Sequence, residues 1–351
     1  MLSPLAPHGE RTLQPHEDTM KKRLTALMLP LLAVGLLAAS AHAADFNLKM
    51  QTYYSPTTAM GARVFAERVK ELTGGKIEVQ VFTGGELVGS SNILKSVRNG
   101  MIDIGHGMGH HFSEMKTGTL ESGLPMSWMS ATEATLLYEH RGLRELFAKQ
   151  YDKAGVVYLG PVWAAPFTTL SKKPIRSLDD MRAMKIRAVG ATAKMLTALG
   201  VNCVNLPPED IYMALTTGQI DGVVYGCAAE YKETKFYEVA GYLNVTPLID
   251  PITDTLIVNK KVWEKLTPEL RAALRAAATE TRWAYYSWGA NESLNVSDTL
   301  FKGKVTAFSE ADQKELAKAA MQVWEEEAKK SPEAAQGVEI IKSFNRAVGR
   351  I

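Results

Sequence analysis

Arg187 is the residue of this chain best placed by type and context to bind a ligand. It lies in Lys185-Ile-Arg-Ala-Val189, a short apolar-alternating stretch that closes at Gly190. A guanidinium held at the end of such a strand can grip a carboxylate through two parallel hydrogen bonds, which an ammonium cannot do. The competing reading is an ordinary solvated arginine at a strand end. Aromatic and thioether side chains recur at other expected strand ends: Tyr53 and Tyr54, Met108, Trp163, Phe167 and Tyr225. They could cover the apolar body of a ligand, although each alone reads equally as core or rim packing. His106, His110 and His111 fit no zinc-ligand spacing and have no interleaved carboxylate, so they read as loop or rim histidines, and no metal or cofactor is expected. No G-x-G-x-x-G, G-K-[ST] or G-x-S-x-G sequence occurs, which removes phosphate loops and the nucleophile elbow and leaves no catalytic residue to name.

These residues need a scaffold, and the hydrophobic periodicity supplies one. Phe46 to Tyr54 alternates like a strand, and a helix opened near Pro56-Thr57 carries Ala62, Phe65, Ala66, Val69 and Leu72 on one face. Ile77 to Phe82 is a second strand, a helix follows Ser90, and a third strand begins after Gly100. The order returns later. Lys185–Val189, a helix Ala191–Leu199, Asn202–Leu206, and a helix opened by Pro207-Pro208-Glu209-Asp210 lead to a strand at Tyr225. Each run closes on the same entry to a strand, Gly100-Met-Ile-Asp103 and Gly218-Gln-Ile-Asp221. The pattern predicts two similar α/β domains with parallel central sheets and a ligand cleft between the carboxyl ends of their strands. Thr132–Tyr151 is predicted as one helix, and Val156–Trp163 as a strand crossing between domains. A helix starts at Ser177. From Pro268 to about Leu300 runs a long brace, roughly 50 Å at 1.5 Å per residue, with Gly289 as a bend. The last helix, Asp312–Lys330, buries Leu316, Ala317, Ala320 and Val323.

Composition narrows the function classes. The chain has 351 residues, 40 Lys+Arg against 38 Asp+Glu, and a formal charge of +2, so it offers no broad attraction to nucleic acid. Two cysteines cannot build a disulfide framework, and Cys203 and Cys227 read as free, mostly buried thiols. Met20-Lys-Lys-Arg23, the uncharged run Leu24–Ala39 and Ala41-His-Ala43 form a secretory signal peptide over about 20–43 and imply a periplasmic protein. Residues 1–19 then read as an extension upstream of the true start. Removing residues 1–43 takes away four basic and three acidic residues and leaves a charge of +1. The expected division is 44–163 with about 254–300 as domain I, and 164–253 with about 301–351 as domain II.

Six segments carry a family resemblance. Gly84-Gly-Glu-Leu-Val-Gly89, Asn99-Gly-Met-Ile-Asp-Ile-Gly105, Met184-Lys-Ile-Arg-Ala-Val-Gly190 and Leu206 through Gly222 resemble solute-binding proteins (the DctP type) of tripartite ATP-independent periplasmic (TRAP) transporters. Lys261-Val-Trp-Glu-Lys-Leu266 and Gln322-Val-Trp-Glu-Glu326 match their C-terminal region. The resemblance implies the two-domain periplasmic-binding-protein (type II) fold, hinge closure, and delivery of an organic acid to membrane permease subunits. In that family the arginine of Lys-Ile-Arg binds the ligand carboxylate, so Arg187 inherits that role. Phe167 stands where sialic-acid-binding members carry a second arginine. Val224-Tyr225 stands where metal-assisted 2-oxo-acid binders have Glu-Trp, so the aromatic is kept and the metal carboxylate is lost. Leu124-Pro125 and Tyr138–Leu146 are closer to the 2-oxo-acid group. A 2-oxo, hydroxy or aromatic monocarboxylate is expected, with Arg187, Tyr225, Phe167, Trp163, Tyr54 and Met108 as its site. The alternatives are a dicarboxylate-binding member, a ligand sensor with no transport role, and a periplasmic enzyme on a similar scaffold.

Overall fold

The structure, a computed structural model, describes residues 44–56, 58–206 and 210–351. The expectations for residues 1–19 and 20–43, for Thr57, and for the helix start at Pro207-Pro208-Glu209 lie outside the described residues. Eleven strands are described: β1 (Phe46–Thr52), β2 (Ile77–Phe82), β3 (Ile104–Gly107), β4 (Val156–Trp163), β5 (Phe167–Ser171), β6 (Lys185–Arg187), β7 (Asn202–Val204), β8 (Gly222–Val224), β9 (Tyr242–Ile249), β10 (Thr253–Asn259) and β11 (Val305–Thr306). They form two sheets, ordered β2-β1-β3-β10-β4 and β11-β9-β5-β8-β6-β7, and each sheet with its helices makes a lobe.

The duplicated unit has duplicated geometry. Gly100 and Gly218 both end a helix in the left-handed region, at φ of 76° and 78°. The isoleucines two residues on, Ile102 and Ile220, are fully buried. Asp103 then accepts a hydrogen bond from the Lys49 amide at 2.8 Å, and Asp221 one from the Lys185 amide at 2.9 Å. Each aspartate therefore pins the first strand of its own unit to the strand that follows it.

The sheets are mixed, which corrects the expectation of parallel ones. Within each unit the strands are parallel (β1 with β2 and β3; β6 with β7 and β8), but β10 runs antiparallel to β3 and β4, and β5 antiparallel to β8 and β9. The cause is the double crossing between lobes. The chain leaves the first sheet through β4–β5 and returns through β9–β10, so the return ladder must run against the outward one. The two ladders are continuous: Trp163 pairs with Thr253 on one side, Phe167 with Ile249 on the other. Between them the Ala164 amide donates to Ile252 O at 2.9 Å. This two-stranded ribbon is the geometric hinge.

The helices refine several expectations. The predicted 132–151 helix is two, Ala131–His140 and Leu143–Lys153, because Gly142 takes φ 96° and caps the second. The brace is one helix, Pro268–Thr299, about 48 Å long and uninterrupted at Gly289. Thr267 caps it by accepting from the Leu270 amide. Its buried Arg282 donates to Glu139 at 2.8 Å and to Pro161 O at 3.3 Å, and lies 4.9 Å over the Trp163 ring. The helix Glu310–Ala328 buries the four residues expected of it. A further helix, Pro332–Ala347, had no counterpart in the sequence reading. It packs on the first lobe: Gly337 sits against Leu120 and Leu146, and Asn345 donates to Ser127 O at 2.9 Å. The segment 301–351 therefore serves both lobes, not the second alone.

Ser177 begins the helix Leu178–Arg182 with a reciprocal capping box to Asp180. Ser177→Ala leaves the Asp180 amide without its acceptor and is expected to lower unfolding free energy by about 1 kcal/mol, readable as a shifted urea midpoint at constant slope.

Candidate functional site

Arg187 ends β6 and is 5% exposed. Its Nε donates to Leu206 O at 3.0 Å and its Nη1 to Val224 O at 3.2 Å, which fixes the plane of the guanidinium. Among the described residues no carboxylate pairs with it. Burial pulls its pKa down, opposed by the nearby Tyr225 and Tyr231 rings. Tyr225, half-buried just past β8, has its ring centroid 5.9 Å from the Arg187 guanidinium carbon. Burial pushes the Tyr225 hydroxyl up to about 12, assisted by Glu230 and opposed by Arg187. The tyrosine thus feels both the Arg187 cation and the Glu230 acid.

The first lobe contributes a polar wall that sequence reasoning missed. His106, expected at a rim, is buried on β3. Its Nδ1 is 3.1 Å from Thr52 Oγ1 and its Nε2 3.1 Å from Asp254 Oδ2. The other Asp254 oxygen accepts from the Tyr53 hydroxyl at 2.9 Å. Sequence alone makes His106 a rim residue and places no strand at Asp254; the β3–β10 pairing makes them neighbours. His111 packs edge-on to Tyr53 at 5.2 Å, and its buried Nδ1 has no hydrogen-bond partner. Burial lowers the His111 pKa, with Asp254 opposing. His110 is exposed, as a loop histidine should be.

Tyr54 lies over this wall, 5.6 Å from His106 and 5.7 Å from Tyr285 of the long helix. Facing it, the helix Ala228–Glu233 opens with Glu230, whose carboxylate accepts from the Cys227 amide at 3.1 Å. Burial raises Glu230 to about 7, and Asp254 adds to the rise. Tyr54 and Tyr285 both feel the Glu230 charge.

The structure therefore joins Arg187 to Tyr225, and Tyr54 to the acids beside Tyr225. Met108 is buried at the turn after β3, and Phe167 is half-buried on the hinge ribbon at the start of β5. Trp163 is fully buried against Tyr138 and Arg282, its Nε1 without a partner, and no described ring contact joins it to Arg187 or Tyr225. Cys203 and Cys227 are free, on β7 and past β8 with β6 between those strands. No group of three or more His, Cys, Asp or Glu able to hold a metal occurs among the described residues. At the position of the metal carboxylate Val224 offers a carbonyl alone, and Arg187 already occupies it. The residues there do not fit a metal-assisted site.

Two sheet-centred lobes joined by a two-stranded ribbon, with a buried cation at a strand end, have the architecture of an extracellular solute-binding protein. The chain belongs to the bacterial extracellular solute-binding proteins, family 7 (DctP), whose sequence profile matches residues 51–331. It is 26% identical over 307 residues to the monocarboxylate 2-oxoacid-binding periplasmic protein of Nostoc sp., covering 83% of this chain and 81% of that one. It is 22% identical to the 2,3-diketo-L-gulonate-binding periplasmic protein of Escherichia coli, covering 83% and 90%. Among solved structures, a TRAP solute-binding protein of Bordetella bronchiseptica with copurified calcium and picolinate matches with TM-score 0.73 at 25% identity, covering 87% of this chain and 93% of that one. One of Chromohalobacter salexigens with bound (S)-(+)-2-amino-1-propanol gives 0.77 at 23% identity, covering 86% and 96%.

Proposed function

We propose that this chain is the periplasmic receptor of a TRAP transporter for a monocarboxylate, a 2-oxo, hydroxy or aromatic acid, which it encloses by hinge closure and hands to the membrane permease. The observation that carries this reading is Arg187, a buried guanidinium oriented by two carbonyls and lacking a carboxylate partner among the described residues. An unpaired buried cation costs folding free energy, and a ligand carboxylate recovers it. Tyr225 covers one face of the anion, Phe167, Tyr54 and Met108 supply apolar surface, and Trp163 backs the first-lobe wall from within its core. Phe167 in place of a second cation favours one carboxylate over two.

A thermal-shift panel of mono- and dicarboxylates, with native mass spectrometry for any co-purified acid, tests the reading. Monocarboxylates should raise the melting temperature; a ligand at 100 times its Kd adds about 2.7 kcal/mol of stability. A shift with dicarboxylates alone would overturn it.

A further inference from the structure

We infer that Asp254 is a positioning residue of the ligand site: its carboxylate holds His106 in one tautomer and Tyr53 in one orientation, and so fixes the first-lobe wall that Tyr53 and Tyr54 present to the bound acid. The inference rests on the placement of Tyr54 in the site proposed above, and is independent of the Arg187 anchor.

The wall stands at the carboxyl ends of β1 and β3, parallel neighbours in which Thr52 pairs with His106. Ligands of parallel α/β sheets sit beyond such ends. The backbone of the wall is held from one side. The Tyr53 amide donates to His106 O at 3.1 Å, and the Gly84 amide to Tyr54 O at 2.7 Å. A Cβ on Gly84 would lie 2.7 Å from Tyr53 O, so this approach needs glycine. The buried Gln51 ties down the same loop, donating from Nε2 to Thr83 O at 2.6 Å and accepting from the Leu87 amide at 3.0 Å.

The side chains are held from the other side, by one directed chain of hydrogen bonds. A carboxylate only accepts. Asp254 Oδ1 accepts from the Tyr53 hydroxyl at 2.9 Å, and Oδ2 lies 3.1 Å from His106 Nε2, which must therefore carry a proton. In the neutral ring Nδ1 then accepts from the Thr52 hydroxyl at 3.1 Å, and Thr52 Oγ1 in turn accepts from the Tyr54 amide at 3.3 Å. Thr52, His106 and Asp254 are each at most 1% exposed, so bulk water does not compete for these bonds. The rings form a contiguous surface, with Tyr53 centred 4.1 Å from Tyr54 and 5.2 Å from His111. Packing alone does not call for a charge here, since an apolar side chain of similar volume serves a strand interior as well. What the acid supplies is direction: two acceptors facing two different donors fix a ring orientation and a tautomer together. Asp254 pairs with Val162 just past the hinge ribbon, so the strand that returns from the hinge also sets the wall.

Nitrogen-15 shifts of the His106 ring near neutral pH test the relay. Wild type should show a proton on Nε2 and a bare Nδ1. Asp254→Asn has one acceptor where two are needed. If Tyr53 keeps it, the amide nitrogen faces Nε2 and drives the ring proton to Nδ1; if His106 keeps it, carbon-13 relaxation should show the Tyr53 ring losing order. Binding is read by calorimetric titration with pyruvate, lactate, benzoate and succinate. For the acid that wild type binds best, Asp254→Asn and His106→Leu should raise Kd about tenfold. His106→Gln, whose Nε2 can still donate to Asp254, should raise it less than about threefold. A wild-type ring protonated on Nδ1, an unchanged His106 proton and Tyr53 order in Asp254→Asn, or an unaltered Kd in that variant would overturn the inference. If succinate alone binds, the monocarboxylate reading fails while the ratios of Kd still decide the role of Asp254. If none of the four binds, the tautomer and the ring order decide it. Tyr53→Phe removes one hydroxyl and should move Kd in the same direction, which keeps the test open should Asp254→Asn not fold.

Discussion

Arg187→Ala is expected to abolish the ligand-induced thermal shift while leaving a folded protein. Truncating one partner of a buried, hydrogen-bonded charge pair costs about 2–5 kcal/mol of binding, so Kd should rise at least about 30-fold. The ligand-free fold loses less. Leu206 O and Val224 O each lose a donor, at about 1–3 kcal/mol where they stay dry, but the desolvation of an unpaired cation disappears with it. Arg187→Lys separates charge from geometry. It keeps the cation but not the planar fork, and should bind more weakly than wild type and better than alanine. Retained binding in Arg187→Ala would sink the anchor assignment.

The second large effect concerns stability. Glu121 is fully buried in the first lobe, where the hydroxyls of Tyr151 and Thr255 donate to its carboxylate and no cation lies against it. Burial raises its pKa from 4.5 to about 7, with Thr255 and Tyr151 opposing. Below pH 4.5 the group is protonated in both folded and unfolded chains and costs nothing. As pH rises toward 7 the unfolded chain releases the proton and the folded one holds it, so stability falls. Above about 7 the full penalty is present, about 3 kcal/mol. Glu121→Gln removes the titration and can still accept one hydroxyl. Urea unfolding from pH 4.5 to 8 should show the variant gaining on wild type as pH rises, and converging with it at the acid end. Parallel pH profiles would show that Glu121 is ionised in the fold. Glu230 and Asp250, also raised by burial, tilt both proteins equally, and the difference between variants isolates Glu121.

Much of the scaffold was legible in the chain because local rules agree with the global fold. Apolar alternation gave β1 and β2, the apolar run Val156–Trp163 gave β4, and a Pro-led, proline-free run gave the long helix at nearly its true bounds. The paired Gly-x-Ile-Asp turns were readable because one helix end, one buried isoleucine and one strand-pinning aspartate need those residue types at that spacing. The errors have equally physical causes. β5, β9 and β10 were missed because β5 and β10 are buried along almost their whole length and show no alternation, and Thr253, Asp254 and Thr255 carry polar atoms into the interior without breaking any local rule. Mixed sheet direction is a property of the return path, which no local pattern encodes.

The same division holds for the site. By itself the sequence determined that Arg187 closes a strand of the second repeat, that Tyr225 follows the matching turn, and that Phe167 and Val224 stand where other members carry charges. The first two are positions within one repeat, which short-range periodicity fixes; the last follows from the family resemblance alone. Only the tertiary structure decided that Arg187 is buried with no carboxylate partner among the described residues, and that His106 and Asp254 are neighbours across β3 and β10. It alone also placed Trp163 against Arg282. Burial and charge pairing depend on contacts between residues far apart in the chain, here across a hinge ribbon crossed twice, and these set the electrostatics from which selectivity follows.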